Sequence, residues 1–165
     1  MHFFQAKFTY SITKEYQVWR LVTATVLHNS FMHLFWNCFS LMMIGFTVEK
    51  SMQSSQKFLI LLLIGSYQGN VFSAIFKPYS IGVGASCTIF ACIAVLGIWY
   101  WLNYYRLGQN RHIFLVFFIL IGAFSLMNFL AANNIDIYGH LGGALAGLPL
   151  GILYLKSEGS DDERK

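Results

Sequence analysis

Two residues in this chain have the types needed for nucleophilic chemistry, and both stand where apolar runs begin. Ser86 sits in Ile81-Gly82-Val83-Gly84-Ala85-Ser86-Cys87, and His140 closes Asp136-Ile137-Tyr138-Gly139-His140. A serine hydroxyl is a weak nucleophile until a neighbouring base takes its proton, and histidine is the usual base. A third apolar run carries His28, His33 and Asn37 in its first half. The spacing of four puts His33 and Asn37 on one helical face, a turn apart. Each signal has a plainer reading when taken alone. A serine in a membrane helix commonly bonds back to its own helix, a histidine at a helix start can be interfacial, and a His/Asn pair can act as polar glue between helices. Catalysis requires that the elements carrying these residues bring them together.

Five apolar runs, 26–47, 58–76, 83–102, 112–132 and 137–155, approach the length of about 20 residues needed to cross a bilayer as a helix. The chain is 56 % hydrophobic and only 11 % charged, whereas a soluble domain is nearer a quarter charged, so lipid must cover the apolar excess. The expected fold is all-α, a polytopic transmembrane bundle in a single domain over 1–165. It divides into an outer loop (1–25), the helical bundle (26–155) and a polar cytoplasmic tail (156–165). Basic residues bias the orientation. Lys50, Lys57, Arg106, Arg111, Lys156, Arg164 and Lys165 fall on one side, and Lys7, Lys14, Arg20 and Lys77 on the other. The richer side is expected to be cytoplasmic. The first, third and fifth runs then start on the non-cytoplasmic side, at the depth where Ser86, His140, His33 and Asn37 all lie.

The fifth run also supplies a means of close approach. Gly139, Gly143, Gly147 and Gly151 recur at every fourth residue, a small-residue ridge that lets two helix backbones pack closely. The third run offers Gly82, Gly84, Ala91, Ala94 and Gly97 as its counterpart. Cys38, Cys87 and Cys92 lie within apolar runs and read as packing residues rather than as a disulfide framework or a metal site. The first twenty residues carry Lys7, Lys14, Glu15 and Arg20 and lack a clean apolar core, so no cleavable signal peptide is expected in them. The net charge of +4 is scattered, with no patch suited to nucleic acid.

Order and spacing together are more specific. The chain resembles the rhomboid family of intramembrane serine proteases over roughly residues 16–155. Trp19-Arg20 is similar to the family's Trp-Arg loop motif. His33-Leu34-Phe35-Trp36-Asn37 is similar to its His-x-x-x-Asn motif, with His28 matching a frequent histidine and Gly45 and Glu49 the residues closing that helix. Gly84-Ala85-Ser86 looks like the Gly-x-Ser nucleophile motif, and His140 through Gly143 and Gly147 looks like the His-x-x-Gly-x-x-x-Gly helix. Phe90 stands where an aromatic ring commonly stacks on the histidine. Two departures are visible. Cys87 replaces a frequent glycine, and the family's first helix has no counterpart, since the eighteen residues before Trp19 are too polar and too short to span. The latter is expected of a truncated gene model, a fragment or a five-helix form.

The resemblance implies a Ser86–His140 dyad that cleaves transmembrane segments of membrane-protein substrates, with His33, Asn37 and the Ser86 N–H as oxyanion donors. No cofactor or metal is expected, because the five histidines include no His-Glu-x-x-His pattern. Asp136 could be an acidic third member, although a carboxylate at a helix start more naturally caps it. Substrates are expected to carry Gly, Pro or small residues near the outer end of their span, where a helix must unwind to expose a carbonyl. Rival readings are a non-catalytic rhomboid-like adaptor that binds transmembrane helices, a small channel or transporter, and a membrane-anchored assembly subunit.

Overall fold

The computed structural model describes residues 5–117, 119–120 and 136–162, with 156–162 as backbone only. The N-terminal segment, expected to be a plain loop, has structure of its own. A two-residue strand β1 (Lys7–Phe8) leads into the short helix α1 (Thr9–Lys14), and α2 (Arg20–Thr23) runs into a 3-10 turn, Ala24–Val26. β1 pairs antiparallel with β2 (Ile81–Gly82), Lys7 opposite Gly82 and Phe8 opposite Ile81.

Among the described residues, four helices are long and apolar enough to cross a membrane: Phe31–Met52, Ser55–Phe76, Ser86–Asn103 and Ile137–Leu155. The first comprises α3 (Phe31–Ser40), a π-helical turn over Leu41–Gly45, and α4 (Phe46–Met52). The others are α5 (Ser55–Phe76), α6 (Ser86–Asn103) and the apolar part of α8 (Ile137–Asp162). Helical backbone over 111–117 and 119–120 forms α7, and the rest of the apolar run 112–132 lies outside the described residues.

Two spans begin later than hydropathy suggests, for local reasons. The first starts at Phe31 rather than 26 because Leu27 and Ser30 are extended, and the Ser30 hydroxyl caps the helix by accepting from the His33 N–H at 3.1 Å. The third starts at Ser86 rather than 83 because Gly84 has φ +118°, a conformation open to glycine and incompatible with helix. α8 continues past 155 to Asp162, so the expected polar tail opens as helix.

The core lies where the π turn and α4 meet α5 and α6: Ile44, Val48 and Met52 pack with Leu61, Ile89, Ala91, Cys92, Val95 and Leu96. Phe46, Leu59, Leu63, Leu141 and Leu153 point outward and are exposed. A helix whose outer face is as apolar as its inner one is suited to lipid, where each backbone N–H and C=O must be satisfied within its own segment.

Candidate active site

α8 packs along α6 through its glycines. A Cβ on Gly143 would fall on the Cys87 carbonyl oxygen, and one on Gly147 on the Ala91 carbonyl oxygen; at Gly151 it would meet Ile98 Cβ at 3.3 Å. The ridge expected from the fourfold spacing is therefore a backbone-to-backbone seam, with Cys87 and Ala91 as its counterpart. Gly97, offered as partner material, would have nothing within 4 Å of an added Cβ and takes no part. The seam extends to α5. Gly69 accommodates Cys87, whose Cβ lies 2.5 Å from the position a Gly69 Cβ would take, and Gly142 accommodates Phe72 at 2.6 Å by the same measure. Cys87 is buried among Gly69, Gly139 and Gly143, which explains a small residue there.

At the head of the seam His140 Nε2 lies 2.9 Å from Ser86 Oγ. The imidazole stacks on Phe90, one turn along α6 from Ser86, with ring centroids 4.3 Å apart and planes 13° apart. Such stacking fixes the ring plane and leaves its nitrogens free. Asp136 Oδ1 accepts from the Gly139 N–H at 3.1 Å, and the Asp136 carbonyl accepts from the His140 N–H at 3.0 Å. The carboxylate thus caps α8, as expected. Ser86 is the first residue of α6, and Ala85 before it supplies no capping side chain. The opening N–H groups of that helix are therefore without intrahelical partners.

Gly84 brings in the third helix. Its N–H donates to the Ala24 carbonyl at 3.0 Å, and an added Cβ would lie 2.7 Å from His33 Cε1, 2.8 Å from His33 Nε2 and 3.3 Å from Asn37 Nδ2. Positive φ and absent side chain together let α3 close on the nucleophile loop. Asn37 is buried, and its Nδ2 has no hydrogen-bond partner among the described residues. An unsatisfied buried donor is costly unless something uses it. His33 Nδ1 lies 2.9 Å from Asn29 Oδ1. A carbonyl oxygen only accepts, so with the amide so placed Nδ1 carries the proton. In a neutral ring Nε2, the nitrogen facing Gly84, is then a lone pair. His28 packs edge-on against His33 at 4.9 Å, and burial lowers its pKa from the ordinary histidine value.

The other motif residues divide. Arg20 is buried, its Nη1 donating to the Ala6 carbonyl at 2.9 Å and its Nε to Gln17 Oε1 at 2.6 Å. Trp19 is half exposed beside it. Glu49 accepts from the Ser55 hydroxyl at 2.6 Å, and Gly45 makes room for Phe58. Sequence reasoning missed Asn29. It also missed the polar bonds tying the segment before α3 to α5: Asn70 Nδ2 to the Leu21 carbonyl at 2.9 Å, the Thr25–Ser66 hydroxyl pair, and Thr9 Oγ1 to the Ala74 carbonyl at 3.3 Å. Buried Ser66, Asn70 and Ser73 at helical spacing on α5 were the available signal.

A membrane-suited helical bundle with a serine hydroxyl and an imidazole in hydrogen-bond contact at one end defines the class. The Rhomboid domain family model matches residues 15–157. The chain is 36 % identical over 148 residues to Rhomboid-like protease 1 of Toxoplasma gondii, covering 88 % of this chain and 50 % of that protein. It is 35 % identical over 141 residues to Rhomboid protease GluP of Bacillus subtilis (strain 168), covering 83 % and 26 %. Against RHOMBOID-like protein 2 of Arabidopsis thaliana identity is 31 % over 144 residues, covering 87 % and 44 %. The chain belongs to the rhomboid family and is an integral, multi-pass membrane protein; it spans half or less of the length of these relatives.

Proposed function

We propose that the chain is an intramembrane serine endopeptidase acting on transmembrane segments of membrane proteins. The observation that carries this reading is the 2.9 Å contact between Ser86 Oγ and His140 Nε2 beside an unpartnered Asn37 amide. Two of the similar proteins carry the word protease in their names, at identities above a third.

In this mechanism Ser86 Oγ attacks the scissile carbonyl carbon while His140 Nε2 takes the hydroxyl proton. The C–N bond then breaks as His140 returns that proton to the leaving amine, and water repeats the sequence to release the acid. For Nε2 to be the base the ring proton sits on Nδ1. The charge on the tetrahedral oxygen is met by Asn37 Nδ2 and the Ser86 N–H, aided by the partial positive charge at the start of α6. His33 joins as a donor only when its ring is protonated. The dyad needs no acid, and Asp136 acts by capping α8. The bundle end that holds these groups is read as non-cytoplasmic, with a water-filled cavity between α3, α6 and α8.

The test is cleavage of a model transmembrane substrate in liposomes, together with labelling by a fluorophosphonate probe. Wild type should cleave and label, while Ser86→Ala should do neither. A wild-type protein that is folded, binds transmembrane helices and is never labelled would be the non-catalytic adaptor instead.

A further inference from the structure

A lysine with no exposed surface lies at one end of a membrane protein, in a segment with no catalytic motif. Lys7 is 0 % exposed, and its ammonium donates to the Ser80 carbonyl at 3.0 Å, to Ser80 Oγ at 2.9 Å and to the Lys77 carbonyl at 3.4 Å. An ammonium has three N–H groups and no acceptor, so these oxygens satisfy all of it. A buried charge persists only where its surroundings are so arranged. All three oxygens belong to the turn Lys77-Pro78-Tyr79-Ser80, which Ser80 closes by donating its N–H to the Lys77 carbonyl at 3.2 Å and its hydroxyl to the same oxygen at 2.9 Å. That turn delivers the chain from α5 into β2, Gly84 and Ser86.

The lysine also reaches the other arm of the dyad. A Cβ on Gly82 would lie 2.9 Å from Lys7 Cε and 3.7 Å from Asp136 Oδ2, so Lys7 and the carboxylate that caps α8 meet across one glycine. Behind it, Arg20 holds the Ala6 carbonyl at 2.9 Å, and Ala6 is buried. A path of contacts therefore runs from Arg20 through Ala6 and Lys7 to the loop bearing Ser86, with the cap of the helix bearing His140 on the other side of Gly82.

We propose that Lys7 is a positioning residue, which with β1 fastens the 77–85 loop against the start of α8 and so sets the register of Ser86 against His140. This rests on the protease reading above. It also gives Arg20 a task, that of holding the strand that carries the lysine. A hydrophobic residue of similar length would fill the space and take the ammonium's N–H groups away from the Ser80 carbonyl and hydroxyl oxygens.

The experiment compares wild type, Lys7→Met, Ser80→Ala and the double variant in liposomes. Lys7→Met should lower kcat by about ten- to a hundred-fold with KM nearly unchanged, the scale expected of a small misplacement of reacting groups. Because Lys7 and Ser80 act as one unit, the double variant should lose no more than Lys7→Met alone. Losses that multiply, or a Lys7→Met enzyme with wild-type kcat, would overturn the proposal. Amide exchange separates this from the protease reading and from simple misfolding. In Lys7→Met the amides of 81–84 should exchange about tenfold or more faster, while those of mid-α5 and mid-α8 stay as in wild type. That arm stands even if the wild-type protein is never labelled by the fluorophosphonate, which would sink the protease reading alone. Uniformly faster exchange, or none at 81–84, would overturn the positioning role.

Discussion

The two halves of the candidate site are built in different ways. Ser86 and His140 head two helices in backbone contact, where Gly143 and Gly147 leave no room for even a methyl group against Cys87 and Ala91. Asn37 and His33 ride on α3, whose one buried residue is Asn37 itself. The apolar anchoring of that span, Ile44, Val48 and Met52, comes lower down. The dyad is therefore positioned by main chain, and its spacing follows from the fold. The proposed oxyanion side rests instead on close approach to Gly84 and on the His33–Asn29 contact.

Five substitutions break or sharpen this contrast. The largest effect belongs to the seam: Gly143→Ala drives a methyl group into the Cys87 carbonyl and should destabilise the protein by roughly 3 kcal/mol or more while abolishing cleavage. Thermal unfolding in detergent reads the first and a substrate assay the second. Next, Asn37→Ala should leave the unfolding temperature near wild type and cut kcat by about two to three orders of magnitude. His33→Ala should cost less at neutral pH, because its neutral ring turns a lone pair to the loop. An equal loss from both would show that His33 donates there. Asp136→Asn retains an oxygen that can cap α8, and asparagine caps about as well as aspartate, so cleavage should fall only a few-fold. A loss as deep as that of His140→Ala would make Asp136 a third catalytic member. Smallest of all, Gly97→Ala adds a methyl group in open space on a helix and should change stability by no more than about 1 kcal/mol, in the stabilising direction. Equal sensitivity of Gly97 and Gly143 would mean that backbone contact is not what holds the dyad.

Much of the site was legible because helices repeat. A spacing of four placed His33 with Asn37 and aligned Gly139 through Gly151, and a helical period needs no knowledge of the partner. The helix starts were less legible. Hydropathy carries a run across Leu27–Ser30 and Val83–Ala85, but the Ser30 cap and the positive φ of Gly84 decide where winding begins. The role of the N-terminal segment was not legible at all. Lys7 pairs with Gly82, a partner far along the chain, through a strand of two residues, too short for any alternation to show. Its charge counts toward topology in a sequence, and only packing reveals that no part of it meets solvent. The tautomer of His33 likewise depends on which side of the Asn29 amide faces it.

The π-helical turn at Leu41–Gly45 has a consequence for chain length. A turn of this kind holds one residue more than an α-helical turn would, so it acts as a vernier between the two ends of the first span. Above it Asn37 is aimed at Gly84; below it Val48 and Met52 are aimed at the core. Forcing those five residues to wind as ordinary α-helix, with none removed, would rotate the upper end by most of one residue's turn of about 100° and carry the Asn37 amide away from Gly84, whereas removing one of them would restore an α-helical turn and leave the two ends nearly in phase. The apolar length, the Ser30 cap and every named side chain would survive such even winding, and the proposed oxyanion donor would still be lost.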